Sequence, residues 1–205
     1  MQDHFTEHSG TRYNEGWAKL WEAGDFLPWD RMVPSPALAD TLDNHAYVVG
    51  SSKLVLSDGT TRRKRALVPG CGRGVDVMLL QAYGYDVIGL EYSSKAIEAC
   101  QIYAKETEGE ELYKVKDEKV GKGTRVFVQG DFYADDWLEE AGLGEHGKEG
   151  IFELIYDYTV SGIVDYACCA YAEPLYSFSA QCSPLCDLHG LSACRPYSPR
   201  TLKQI

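Results

Sequence analysis

The chain lacks any apolar run long enough to cross a bilayer. Its longest candidates, such as Ile151 to Tyr158, are short and carry acids, against the roughly 20 residues that a spanning helix needs. Met1 to Gly10 is polar and has no apolar stretch of the kind that directs secretion, so a cytoplasmic address is expected. Bases are scarce. Twenty Lys and Arg stand against 31 Asp and Glu in 205 residues, and the resulting charge of −11 repels phosphate backbones and anionic lipid. Nucleic acid and membrane are therefore poor partners, and a small molecule is expected instead. No repeat of solenoid period and no low-complexity tract occurs. Upstream of Thr159 the only cysteines are Cys71 and Cys100, which excludes a disulfide framework there. What remains is the composition of one ordinary globular domain, 44% hydrophobic and 25% charged, expected to act as a monomer.

The chain changes character near Thr159. Val160 to Ile205 carries three acids and three bases, so the whole net charge lies upstream. The same segment holds five of the seven cysteines (Cys168, Cys169, Cys182, Cys186, Cys194) and four of the eight prolines, without helical or alternating apolar period. Cys182, Cys186, His189 and Cys194 lack the paired C-x2-C of common structural zinc sites, so no metal is assigned.

Upstream, Tyr13 to Glu22 places Trp17, Leu20 and Trp21 at spacings of three and four, which predicts a short amphipathic helix stopped by Gly24 and Pro28. Asp40 to Ser57 shows no period. The basic run Arg62-Arg63-Lys64-Arg65 is expected to be a solvated lead-in to a buried strand. From Ala66 the pattern becomes regular. A strand (Ala66 to Pro69), a glycine turn and a helix (Val75 to Ala82) are followed by a second strand, Tyr85 to Glu91, and a helix capped by Ser93 or Ser94. A charged connector leads to a third strand, Arg125 to Asp131, and a Trp137-containing helical stretch to a fourth, Phe152 to Asp157. Strands alternating with helices predict an α/β fold with a doubly wound parallel sheet.

Ligands of such sheets bind beyond the carboxyl ends of the strands. The first strand ends in Gly70-Cys71-Gly72-Arg73-Gly74, where missing side chains let a ligand lie against exposed backbone amides. By itself this is equally a tight structural turn. A dinucleotide fingerprint would need glycine where Val75 stands. Glu91 ends the second strand, where an acid accepts from both hydroxyls of a ribose; a surface acid is the plain alternative. The third strand ends in Gly130-Asp131-Phe132, an acid for an adenine amino group beside a ring to pack on the base, or simply a strand-end turn. Asp157 and Tyr158 follow the fourth strand, close to where the reactive end of such a cofactor lies, and strand-end packing explains them equally well. Together these ends favour an adenosine cofactor without pyrophosphate, which describes S-adenosylmethionine.

Val68-Pro69-Gly70-Cys71-Gly72-Arg73-Gly74-Val75-Asp76 followed by Gly89-Leu90-Glu91-Tyr92-Ser93 resembles the class I methyltransferases of the thiopurine S-methyltransferase type, in particular their thiol and halide branch. Trp17, Trp21 and Pro28-Trp29-Asp30 are similar to that family's tryptophan-rich lid. The resemblance covers about Asn14 to Thr159 and implies a Rossmann-like core over 66–159 with a lid over 13–30. It further implies cofactor contacts at Trp17, Trp21, Trp29, Gly70, Gly72, Glu91, Asp131, Phe132 and Tyr158, and methyl transfer from S-adenosyl-L-methionine to a small thiol or halide-like acceptor. Asp157 or Tyr158 would orient or deprotonate that acceptor. Glu91 departs from the family's usual aspartate.

The family continues past the fourth strand with a helix and three more strands, so the sheet is expected to be incomplete and residues 160–205 irregular. The genetic code offers a reason. Val160-Ser161 can be encoded by GTNAGT, a splice donor, and Tyr176-Ser177 by TAYAGT, which contains an acceptor AG. Read in the frame restored by splicing there, the following codons permit Phe-Phe-Cys-Ala after Thr159 and, further on, the family's Arg-Pro-x-Trp. Val160 onward is thus expected to be a retained intron followed by a shifted frame. The competing classes are a catalytically inert remnant that binds the cofactor at most, and a nicotinamide-dependent oxidoreductase, which Val75 disfavours.

Overall fold

A computed structural model describes residues 12–24, 27–134, 136–143, 151–158 and 191–193. Helix α1 (Tyr13–Ala23) ends at Gly24, which takes the left-handed conformation (φ 67°) and closes onto the Leu20 carbonyl. Helices α2 (Pro36–Asn44) and α3 (Ala46–Val49) follow, then a small antiparallel pair, β1 (Lys53–Val55) and β2 (Thr61–Arg63). The main sheet is built from β3 (Arg65–Pro69), β4 (Asp86–Glu91), β5 (Arg125–Gln129), β6 (Leu154–Tyr156) and β7 (Leu191–Ala193). Helix α4 (Val75–Ala82) joins β3 to β4, α5 (Ser94–Glu106) follows β4, and the short α6 (Trp137–Glu140) lies between β5 and β6.

The strand order is β5-β4-β3-β6-β7. The first four are mutually parallel, with Leu67 beside Ile88 on one side and Ile155 on the other. The order reverses between β3 and β6, so the crevice outside the end of β3 is the topological switch point. Both faces of the sheet are covered, as parallel strands require. Alternation along β3 sends Ala66 and Val68 to a core with Val77, Met78, Leu80 and Tyr103, and Leu67 to a second core with Ile88, Leu90, Val128, Trp137 and Phe152.

Three expectations need correction. The sheet is not wholly parallel: β7, from the segment read as patternless, pairs antiparallel with β6. The rest of residues 160–205, with the cysteines of that segment, lies outside the described residues. The stretch without visible period contains part of α2 and all of α3; these are short, and α2 buries only Leu38, Thr41 and Leu42. The basic run is not solvated. Arg62 forms a two-pronged ion pair with Glu153 (2.5 and 3.1 Å), Glu153 also accepts the Arg65 amide (2.8 Å), Arg63 donates to the Val120 carbonyl and Lys64 to that of Val49. The run clamps the hairpin and the approach to β6 onto the sheet. Among the described residues no helix is long and apolar enough to cross a membrane, and no group of metal-ligating side chains occurs.

Candidate functional site

At the carboxyl ends of β3, β4 and β5 the chain forms an open cleft with a cavity volume of about 160 Å³. Its wall contains Trp17, Trp21 and Trp29 from the lid, Gly70 and Gly72 from the turn, Glu91, and Phe132. These residues come from four separate stretches of sequence, and the fold brings them together. Trp17 and Trp29 pack edge to face with ring centres 5.0 Å apart, an arrangement that the ring quadrupoles favour.

The glycine turn is shaped by sterics. Gly72 has φ 53° and a Cβ there would meet the Trp21 ring at 3.5 Å, so a side chain would fill the slot between turn and lid. Gly74 (φ 77°) starts α4, and a Cβ would fall 2.5 Å from the Phe127 ring. The turn is held from behind by the Cys71 amide bonding to the Leu90 carbonyl and by the Cys100 thiol, which donates to the Gly72 carbonyl. Contact with Cys100, then burial, pushes the Cys71 thiol well above its ordinary range, so it stays protonated.

Glu91 is the best-organised charge of the cleft. One carboxylate oxygen accepts the Gly72 amide (3.0 Å), the other those of Tyr92 (2.8 Å) and Ser93 (3.1 Å). Burial pushes its pKa up, while the amides of Ser93, Gly72 and Tyr92 pull it back. An ionised carboxylate offers about four lone-pair directions, so three are occupied by these amides and one is left. Asp131 stands at the rim, accepting from the Asn14 side-chain amide (3.2 Å) and the Tyr133 backbone (3.0 Å).

Asp157 and Tyr158 are not part of the cleft wall. Tyr158 is 56% exposed, with the Arg31 guanidinium 6.0 Å from its ring centre. Sequence reasoning missed Asn14, Tyr92 and Tyr133, which line the cleft. Asn14 was findable, since 14, 17 and 21 fall on one helical face. It also missed the tie between lid and turn: Asp30 accepts from Arg73 Nε (2.7 Å) and Nη2 (2.5 Å), and the same guanidinium lies over the Trp21 ring.

A second tie runs from α4. The half-buried Asp76 carboxylate accepts the Ser35 amide at 2.7 Å, and its charge is felt by the Tyr113 and Tyr156 hydroxyls. Burial pushes its pKa from 3.8 up to about 6, against the opposing Ser35 bond. Folding therefore favours the protonated acid: this contribution is complete below about pH 4 and disappears as pH rises through about 6. Asp76→Asn keeps an acceptor oxygen and removes the proton. It is expected to flatten the fall of stability between pH 4 and 6.5 and to leave the variant more stable at pH 7, by on the order of 2–3 kcal/mol. Denaturant unfolding at several pH values measures this, and an unaltered slope in the variant would disprove it.

The family model described as Thiopurine S-methyltransferase (TPMT) matches residues 12–177. The chain belongs to the thiopurine S-methyltransferase family. The boundary read at Thr159 falls inside that match. Among curated relatives, "Probable thiol methyltransferase 2" of Arabidopsis thaliana is 42% identical over 83 residues, covering 40% of this chain and 30% of that protein. "Thiocyanate methyltransferase 1" of Brassica oleracea is 29% identical over 146 residues, covering 71% and 47%. The chain thus spans less than half the length of these relatives. A solved structure described as "Conversion of a Disulfide Bond into a Thioacetal Group during Echinomycin Biosynthesis" superposes with a TM-score of 0.52 at 20% identity, over 80% of this chain and 54% of that one. That likeness concerns the fold, an α/β Rossmann-like sheet.

Proposed function

We propose that the cleft binds S-adenosyl-L-methionine and that the protein transfers its methyl group to a small thiol or a halide-like anion such as thiocyanate. The observation that carries this is Glu91 pinned by the glycine-turn amide under a tryptophan lid, within a chain of the thiopurine S-methyltransferase family. The cofactor supplies a methyl group already activated on a sulfonium: the acceptor's lone pair makes the new bond to carbon and the old bonding pair stays on the departing sulfur. The protein's part is to hold and to dry. Glu91 accepts from the ribose, Asp131 and Phe132 meet the base, the Gly70 to Gly74 backbone leaves room for the amino-acid tail, and the tryptophans exclude water from the reacting end. The acceptor's identity as a small sulfur nucleophile belongs to the same reading, which the names of the relatives support; cytoplasmic residence and action as a monomer are proposed with it.

Calorimetry provides the test. S-adenosylhomocysteine is expected to bind one to one and NADH not to bind, and methyl-labelled S-adenosylmethionine to label thiocyanate or a small thiol. Preference for NADH would overturn the reading. The second reading is a module that binds the cofactor without transferring methyl; binding without label transfer is its signature. We also retain the proposal that residues 160–205 are a translated intron and a shifted frame.

A further inference from the structure

Along the carboxyl edge of the sheet the strand ends follow a fixed sequence. Asp131 and Phe132 end β5, Glu91 ends β4, the glycine turn ends β3, and Tyr158 comes next, just beyond β6. A cofactor laid with its base at β5 and its ribose at β4 brings its amino-acid portion to the turn and its reactive sulfur toward β6. The acceptor must then approach from the side of Tyr158.

One cation stands there. Arg31 lies over the Tyr158 ring and has no carboxylate within salt-bridge distance among the described residues, whereas Arg62 and Arg73 are both paired. Its position is held by the backbone on either side. The Asp30 carboxylate that grips Arg73 also accepts the Met32 amide (3.3 Å), and the Tyr103 hydroxyl donates to the Met32 carbonyl (3.0 Å). Met32 is the one non-glycine residue at positive φ (58°) among the described residues. Such a conformation persists only where surrounding bonds over-determine it. The peptide is bent at Met32 and tied on both sides, which fixes the root of the Arg31 side chain beside Trp29, itself in the cleft wall.

We propose that Arg31 and Tyr158 form the subsite for an anionic methyl acceptor, the guanidinium holding a small sulfur anion against the tyrosine ring at the end of β6. This rests on the cleft being an S-adenosylmethionine site. A guanidinium has five N–H donors and binds weakly hydrated anions well. It also makes a general base unnecessary: thiocyanate carries no proton, and a thiol gives its proton to water when it docks as thiolate, before transfer. Among the described residues the cleft wall contains no histidine or lysine.

The test uses 13C-labelled thiocyanate as probe, its NMR line width titrated against the 205-residue protein, free and saturated with S-adenosylhomocysteine. Saturable broadening is expected, weakened at least tenfold by Arg31→Met, about threefold by Arg31→Lys, which keeps the charge without the fork, and a few-fold by Tyr158→Leu. S-adenosylhomocysteine affinity and thermal midpoint should stay within twofold and a degree or two of the parent, because Arg31 is exposed and outside the cofactor's wall. Unchanged thiocyanate binding in Arg31→Met, or no saturable binding in either state of the parent, overturns the proposal. Arg31-dependent thiocyanate binding in a protein that does not take S-adenosylhomocysteine would uphold the subsite and sink the cofactor reading.

Discussion

Replacing Glu91 with alanine should lower the affinity for S-adenosylhomocysteine by at least about 100-fold. The carboxylate does two things at once. It presents an acceptor to the ribose, a charge-assisted bond worth on the order of 1.5–3 kcal/mol, and it holds the Gly72 amide, and with it the turn on which the ligand lies. In the alanine variant the amides of Gly72, Tyr92 and Ser93 lose their partner together. Two effects of this size give about 3 kcal/mol or more, and each 1.4 kcal/mol is about tenfold in binding. Glu91→Asp, the residue common in the family, should recover much of the affinity; Glu91→Gln should not, because its NH2 group would face backbone N–H donors. Titration calorimetry with a thermal melt on each variant separates loss of site from loss of fold, and undiminished binding in a folded Glu91→Ala protein would remove this residue from the site.

A chain translated from a message lacking the codons for Val160 to Tyr176 and the first two bases of the Ser177 codon, and so continued in the restored frame, should methylate small thiols with at least tenfold higher specific activity than the 205-residue form. The physical reason lies at β6. A parallel sheet needs cover on both faces and a paired or protected edge, and among the described residues β6 has on its outer side only the three-residue β7. A domain is stable by only about 5–15 kcal/mol, so leaving several apolar side chains uncovered at roughly 1.5–3 kcal/mol each can exhaust it. The short form is accordingly expected to aggregate. Sequencing the transcripts gives an independent check, and equal activities would show that residues 160–205 belong to the working enzyme.

The strands and the glycine turn were legible because each leaves a local trace: a short apolar run buried on both faces, a missing side chain where backbones or rings must approach, an acid where a strand stops. Glu91 was visible for that reason, but the three amides it accepts from were not. What escaped were features whose cause is distant in sequence. Nothing near Arg62 announces Glu153, 91 positions away, so the basic run looked solvated. Asp76 reads as an ordinary first-turn acid of a helix, and only the packing of Ser35, Tyr113 and Tyr156 turns it into a half-buried one. Tyr113 is fully buried from within a charged connector because a single 3-10 turn, Glu111–Tyr113, points it inward; one residue has no periodicity. At Tyr158 the family resemblance implied a cofactor contact, whereas the cleft wall stops short of it.

The Arg73 to Asp30 pair has a consequence for the order of events. Because it already joins the tryptophan segment to the glycine turn with both side chains largely out of water, the ligand finds the wall assembled and loses little conformational entropy in ordering it. A partly buried pair is screened only weakly by salt, so the join between lid and turn should persist at high ionic strength.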